Sequence, residues 1–252
     1  MKSALVRSLA AIGLTLSFAV PAHAADLLVL TDDVPAGLDF DGPTSSTIQS
    51  YTGIVNLLDP LVYFQTGDVN NEGVQLLDFQ QFEGRLAESW SLDEKTLTWT
   101  LRLRRGVKGC DGQVFNADDV LYSYARAKSV SGAAPIGWFL ASVSSIEGFT
   151  PAVFGGGEAQ NLGDEVKKID DYTVTIRQSA PNQLFLPVLT IFASNILDKE
   201  TMEEHTTSDD KWSHTYNNNK NAPGFGLICP LLSGPESLLF WLTKEFGNGQ
   251  ET

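Results

Sequence analysis

Hydrophobic and polar residues alternate most cleanly from Leu97 to Leu103. Leu97, Trp99, Leu101 and Leu103 fall on one face, and Thr98, Thr100 and Arg102 on the other. A period of two is the pattern of a half-buried β-strand. Trp90-Ser91-Leu92 and the polar turn Asp93-Glu94-Lys95 come just before it, so the two runs predict a β-hairpin. Tyr172, Val174 and Ile176 alternate with Thr173, Thr175 and Arg177 after an Asp170-Asp171 turn, predicting another strand, and the short apolar run Asp26 to Thr31 predicts one more. Helical spacing is interleaved with these runs. Asn116 is placed to cap a helix from Ala117 to about Val130, with Asp118 and Asp119 in the first turn, where the macrodipole favours carboxylates. Val120, Leu121 and Tyr124 form its expected buried stripe. A second helix is predicted over Thr47 to Leu58, with Ile48, Tyr51, Val55 and Leu58 facing inward. The Gly/Pro-rich stretch Phe149 to Gly163 reads as a long surface loop or an inter-lobe connection. Interleaved strands and helices without internal repeats give an α/β or α+β class.

The first residues add a compartment. Lys2 and Arg7 precede an apolar run, Leu9 to Val20, that Pro21 ends. The run is too short to span ~30 Å of hydrocarbon at about 1.5 Å per residue. Ala22-His23-Ala24 then places small residues where a signal peptidase reads. Together these features predict a secretory signal peptide over residues 1–24, cleaved after Ala24. With no Cys following the run, a lipoprotein anchor is not expected, and the mature chain is expected to be soluble and exported.

Composition narrows the partners. Seventeen Lys and Arg against 31 Asp and Glu give a net charge of -14. Such a chain lacks the basic footprint of a nucleic-acid binder and would be repelled by an anionic membrane surface. Cys110 and Cys229 are free to pair in an oxidising compartment. Two cysteines make neither a disulfide framework nor a zinc site, and the isolated pair is not expected to be a structural staple.

Catalytic chemistry is sparse. The sequence has no Gly-x-Ser-x-Gly elbow, and Gly155-Gly156-Gly157 is followed by Glu158 rather than the Lys-Ser/Thr of a phosphate loop. His205 and His214, with Asp209 and Asp210, have the wrong spacing for a metal site and are expected to be solvated side chains. Asp32-Asp33 and Asp118-Asp119 are adjacent pairs that do not converge as an acid and a base would. No catalytic residue, metal or cofactor is predicted, and an enzyme is disfavoured.

One stretch is far more specific. Gly84 to Ala127 reads GRLAESWSLDEKTLTWTLRLRRGVKGCDGQVFNADDVLYSYARA. The order Leu86-Ala87-Glu88-Ser89-Trp90, Leu103-Arg104-Arg105-Gly106-Val107-Lys108, Asp111-Gly112, Ala117-Asp118-Asp119-Val120 and Ser123 resembles the signature of the family 5 extracellular solute-binding proteins. Asn221 to Gly226 (NAPGFG) is similar to that family's later Gly-rich turn. Gly109-Cys110 departs from the pattern, which has an aromatic followed by a polar residue there. Arg102, Arg104 and Arg105 are expected to be solvated, so the signature marks a scaffold rather than a ligand contact.

The resemblance implies a periplasmic-binding-protein-like α/β fold, type II, with an extra N-terminal domain and most of the second lobe missing. On that template residues 25–45 and 166–226 form a split first lobe, and residues 46–165 the extra domain. The loop Asp41-Gly42-Pro43-Thr44 is the nearest candidate for ligand contact, although Gly-Pro is equally ordinary turn chemistry. The implied partners are a peptide or related solute and an inner-membrane ABC permease, and the protein is expected to be a monomer. The resemblance stops abruptly at Gly226. There Leu227-Ile228-Cys229-Pro230 stands where the family has Pro-Tyr, and a one-base deletion accounts for the change, a divergent tail being the alternative. Residues 227–252 are therefore read as a frameshifted tail, with Leu238 to Leu242 an apolar run without an evident partner. A secreted hydrolase and a ligand-free interaction module are the rival functions.

Overall fold

The alternation at Thr98–Leu103 becomes β4, the second strand of a four-stranded antiparallel sheet in the computed structural model. The structure describes residues 37–39, 48–129, 140, 143–146, 162–219, 223–226, 228–234 and 237–242. The predicted signal peptide, the Asp26–Thr31 run and nearly all of the Phe149–Gly163 stretch lie outside them. Strands β3 (Ala87–Asp93), β4, β5 (Val166–Asp170) and β6 (Thr173–Arg177) take the order β3-β4-β6-β5. The predicted hairpin joins β3 to β4, with Leu92 opposite Trp99 and Asp93 opposite Thr98. Asp93 shapes its turn by accepting hydrogen bonds from the Lys95 amide (2.9 Å) and the Thr96 hydroxyl (3.0 Å), the local chemistry that favours Asp in turns. Leu97 belongs to that turn with φ at 52°, so β4 starts one residue later than its alternation suggests. The boundary expected at residue 165 passes through this sheet. β5 and β6 lie beyond it, yet β6 pairs with β4.

Helix α2 (Ala117–Ser129) begins where its cap predicts. The Asn116 side chain accepts from the Asp118 amide at 2.7 Å, and Asp119 reaches back to the Asn116 amide at 2.8 Å. This is a reciprocal capping box. Val120 and Tyr124 are buried, while Leu121 packs only partly against the main core with Leu101, Leu103, Phe115, Val174 and Ile176. Lys128 pairs with Glu165 at 2.7 Å and ties the helix to the β5 side. Helix α1 (Ile48–Leu57) was expected to bury Val55, but that residue is exposed; Leu58 is buried as expected, and Ile54 and Leu57 go inward in place of Val55. Both sets have helical spacing. The second core, formed with Leu38, Tyr122, Leu197 and Met202, selects between them.

Strands β1 (Val62–Val69) and β2 (Gln75–Gly84) form a separate two-stranded sheet. Short helices α3 (Phe185–Leu189), α4 (Lys199–Glu204) and α5 (His214–Asn219) follow β6. The Gly-rich turn then packs on the end of α1, where the Gly226 amide donates to Leu57 O at 3.2 Å. A β-carbon at Gly226 would sit 2.2 Å from that same oxygen, so only glycine fits the approach.

Two expectations about the tail are corrected. Cys110 and Cys229 form a disulfide, with Cα atoms 5.6 Å apart. The fold brings together a turn and a strand that 119 residues of sequence separate, which no spacing rule could reveal. The apolar run also has a partner: β7 (Ile228–Gly234) and β8 (Ser237–Leu242) form a hairpin that sets Leu231 opposite Leu239 and Cys229 opposite Trp241. Among the described residues no helix is long and apolar enough to cross a membrane.

Candidate functional site

The candidate loop Asp41-Gly42-Pro43-Thr44 lies outside the described residues. Its approach is described, and it holds the most elaborate buried charge group among them. Gly37, Leu38 and Asp39 are buried, and Asp39 meets side chains from α2 and α5. Arg126, itself fully buried on α2, donates to Asp39 Oδ1 at 2.7 Å. Asn217 Nδ2 donates to the same oxygen at 3.0 Å, and His214 Nδ1 contacts Oδ2. The Asp39 amide donates to Asn218 Oδ1 at 3.3 Å. Burial alone would raise the Asp39 carboxyl, but Arg126 and His214 overcome it and bring the group down to about 2. A charge taken out of water needs such matching from ion pairs and hydrogen bonds.

His214 is therefore not the solvated side chain expected from sequence. Its ring faces Asp39, while its amide is capped by Asp210 Oδ1 at 2.9 Å. His205 stacks on Tyr216 with ring centroids 3.5 Å apart, and its Nδ1 lies 2.8 Å from Thr201 O. Asp210 is a helix cap and the two imidazoles have separate partners, so these residues do not form a metal cluster. Arg104 is also engaged, donating to Arg85 O at 2.9 Å, whereas Arg102 is exposed as expected. Arg105 is exposed but lies over the Tyr172 ring at 4.1 Å.

A convergence of carboxylates was missed. Asp119 meets Asp198 and Glu200, with one oxygen from each within 4.8 Å of the others. Asp119 Oδ1 accepts from the Lys199 amide (2.9 Å) while Oδ2 accepts from Asn116, and Asp198 Oδ1 accepts from the Thr201 amide (3.0 Å). One carboxylate thus serves the first turns of both α2 and α4, which accounts for the gathering through helix-end chemistry. Burial pushes Asp119 up to about 7, against the pull of those two amides. The sequence signal was Asp198-Lys199-Glu200-Thr201, a helix start in its own right.

An open groove of about 450 Å³ lies beside β3 and β4, lined by Phe82, Leu92, Trp99, Gln178, Asn182 and Leu186. Two of its amides are already used. Gln178 accepts from Trp99 Nε1 at 2.8 Å and donates to Ser144 O at 3.0 Å, and Asn182 donates to Ser145 Oγ at 2.9 Å. These bonds hold the 143–146 segment against the sheet.

The fold and its buried groups thus describe a scaffold, and comparison with known proteins identifies it. The sequence model of the bacterial extracellular solute-binding proteins, family 5, middle region, matches residues 81–227. The chain belongs to this family. Family 5 is a family of solute binders. The dipeptide-binding protein of Escherichia coli K12 is 35% identical over 121 residues, covering 46% of this chain and 21% of that protein. The periplasmic oligopeptide-binding protein OppA of the same organism is 27% identical over 217 residues, 84% of this chain and 38% of that one. The solved dipeptide-binding protein of Pseudoalteromonas sp. SM9913, in complex with Met-Leu, superposes with a TM-score of 0.61 at 17% identity. That superposition covers 86% of this chain and 39% of the solved one, and it shows the shared periplasmic-binding-protein fold. The chain spans less than two fifths of the length of these relatives.

Proposed function

We propose that this chain is the solute-capturing component of a peptide-type ABC importer, exported to the periplasm after cleavage following Ala24. The observation that carries the reading is the family match over residues 81–227. Relatives named for dipeptides and oligopeptides make a short peptide the favoured ligand. The mechanism is non-covalent: the ligand stabilises a closed arrangement of two lobes, which the membrane permease then distinguishes from the open one. Asp41, Gly42, Pro43 and Thr44 are the proposed first-lobe contacts. The extra domain carries β1 to β4 and α2. Residues 25–45 and 166–226 are the proposed first lobe, with β5 and β6 pairing across its boundary into the sheet of β3 and β4.

A two-lobe receptor gains affinity by enclosure, and such sites bury ~70–90% of their ligand's surface. Residues 1–252 alone, spanning less than two fifths of the matched relatives, are therefore proposed to bind weakly, whether or not the tail is frameshifted. Calorimetric titration with Met-Leu and with short oligopeptides tests this. A version continued in the restored frame should bind at least about tenfold tighter than the 252-residue chain. Equal affinity would make this portion a complete binding unit. Intact mass of the exported protein should start at Ala25, and a retained N-terminus would sink the export reading.

A further inference from the structure

Among the described residues the strands of the β7–β8 hairpin pair only with each other and join no larger sheet. Isolated two-stranded hairpins are marginal in water. Three attachments at its base hold it to the domain among the described residues. The Gly226 amide donates to Leu57 O, Ile228 packs on the second core, and Cys229 is bonded to Cys110. The first attachment precedes the hairpin, and its neighbour Phe225 is locked against Phe115 with ring centroids 5.1 Å apart. Cys110 sits on a rigid mount. Gly109 donates to Gln113 O (2.8 Å), Gly112 donates to Gly109 O (3.0 Å), and Lys108 bridges Val114. The tip holding Cys110 is therefore built without help from the tail.

We propose that the Cys110–Cys229 bond is a redox-controlled staple: it holds the β7–β8 hairpin on the rest of the domain, and it closes only outside a reducing compartment. Closing removes two protons and two electrons from the two thiols, which a protein disulfide accepts by thiol–disulfide exchange, itself becoming a dithiol. Opening by dithiothreitol reverses this, the reagent ending as its cyclic disulfide. Cys229 is fully buried and Cys110 only partly, so reductant reaches the bond from the Cys110 side. Before export the reduced chain would carry a loose tail beyond Gly226, and the hairpin would dock after translocation. This compartmental half rests on the export reading above, and the staple takes residues 227–252 as the divergent tail rather than a frameshifted one.

Hydrogen exchange measured by mass spectrometry on the whole chain, oxidised and reduced, tests the staple. Peptides covering residues 228–242 should exchange at least about tenfold faster after reduction, and again in the Cys110→Ser/Cys229→Ser protein. Peptides covering 98–103 and 117–129 should stay slow in all three. Unchanged exchange over 228–242 would overturn the proposal, as would two titratable thiols in the air-oxidised protein or a loss of protection in the sheet as large as in the hairpin. Thiol trapping of exported against retained chain tests the compartmental half separately. Oxidised cysteines in the retained form would remove that half and leave the staple standing.

Discussion

At the scale of single residues, the structure spends its buried charges on anchoring. Asp39 has no contact with water, and its ionised form exists there because Arg126, Asn217 and His214 converge on it. Removing one member of a buried pair leaves the other uncompensated, so Arg126→Met should cost about 3–5 kcal/mol in urea unfolding. The Asp39 pKa is lowered from 3.8 to about 2, so its contribution is present above pH about 4 and is lost as pH falls toward 2. The stability gap between wild type and Asp39→Asn should narrow across that interval, and a constant gap would count against the ion pair. Asp119 runs the opposite way. Its folded pKa is raised from 3.8 to about 7, so the folded state holds a proton that the unfolded chain has already released. Wild-type stability from this group therefore falls between pH about 4 and 7, and Asp119→Asn should gain on wild type over that range in parallel urea titrations. The Asp39 partnerships could not be read from the sequence. Asp39 and Arg126 are 87 residues apart, and nothing local marks either as buried.

At the scale of elements, legibility follows locality. The β3–β4 hairpin and the capped start of α2 are specified by neighbours in sequence, and both appear where their patterns place them. Asn116→Ala should cost about 1 kcal/mol, measured by thermal or urea unfolding, because one orphan amide of the first turn loses its acceptor. Helix α1 was legible as a helix but not in its rotation. Tyr51, Val55 and Leu58 match a helical face as well as Tyr51, Ile54 and Leu58 do, and only the second core decides between them. The Gly-rich turn shows the same limit. NAPGFG announces a turn, but not that Gly226 must pass against the α1 carbonyl of Leu57. Gly226→Ala places a methyl group 2.2 Å from that oxygen and must displace the turn. A loss of about 1–3 kcal/mol is expected, the usual range for overpacking, and an unchanged unfolding midpoint would show that the turn does not rest on α1.

At the scale of the whole molecule, the family signature identifies the scaffold, while the groupings that complete it are long-range: β6 beside β4, Cys110 beside Cys229, Asp119 beside Asp198. Pattern reading sees one segment at a time, and each of these pairings needs two segments to have met. The same view shows where the surface is least finished. Among the described residues the β1–β2 sheet pairs with no further strand, and the sheet and its turn expose Val69, Val74, Leu76 and Phe79, the last at 66%. Phe79 meets Phe64 edge-on with centroids 5.0 Å apart, so the patch has an ordered aromatic base. Open edges beside exposed apolar side chains favour self-association. A net charge of -14 opposes it through repulsion between copies, and that repulsion is screened by salt, the Debye length shrinking from about 30 Å at 0.01 M to about 3 Å at 1 M. The chain should therefore be monomeric by light scattering at low ionic strength and associate as salt is raised. Leu76→Ser with Phe79→Ser should abolish the salt-induced association while leaving the unfolding midpoint nearly unchanged, since neither side chain is buried. Association that persists unchanged in this double variant would place the sticky surface elsewhere.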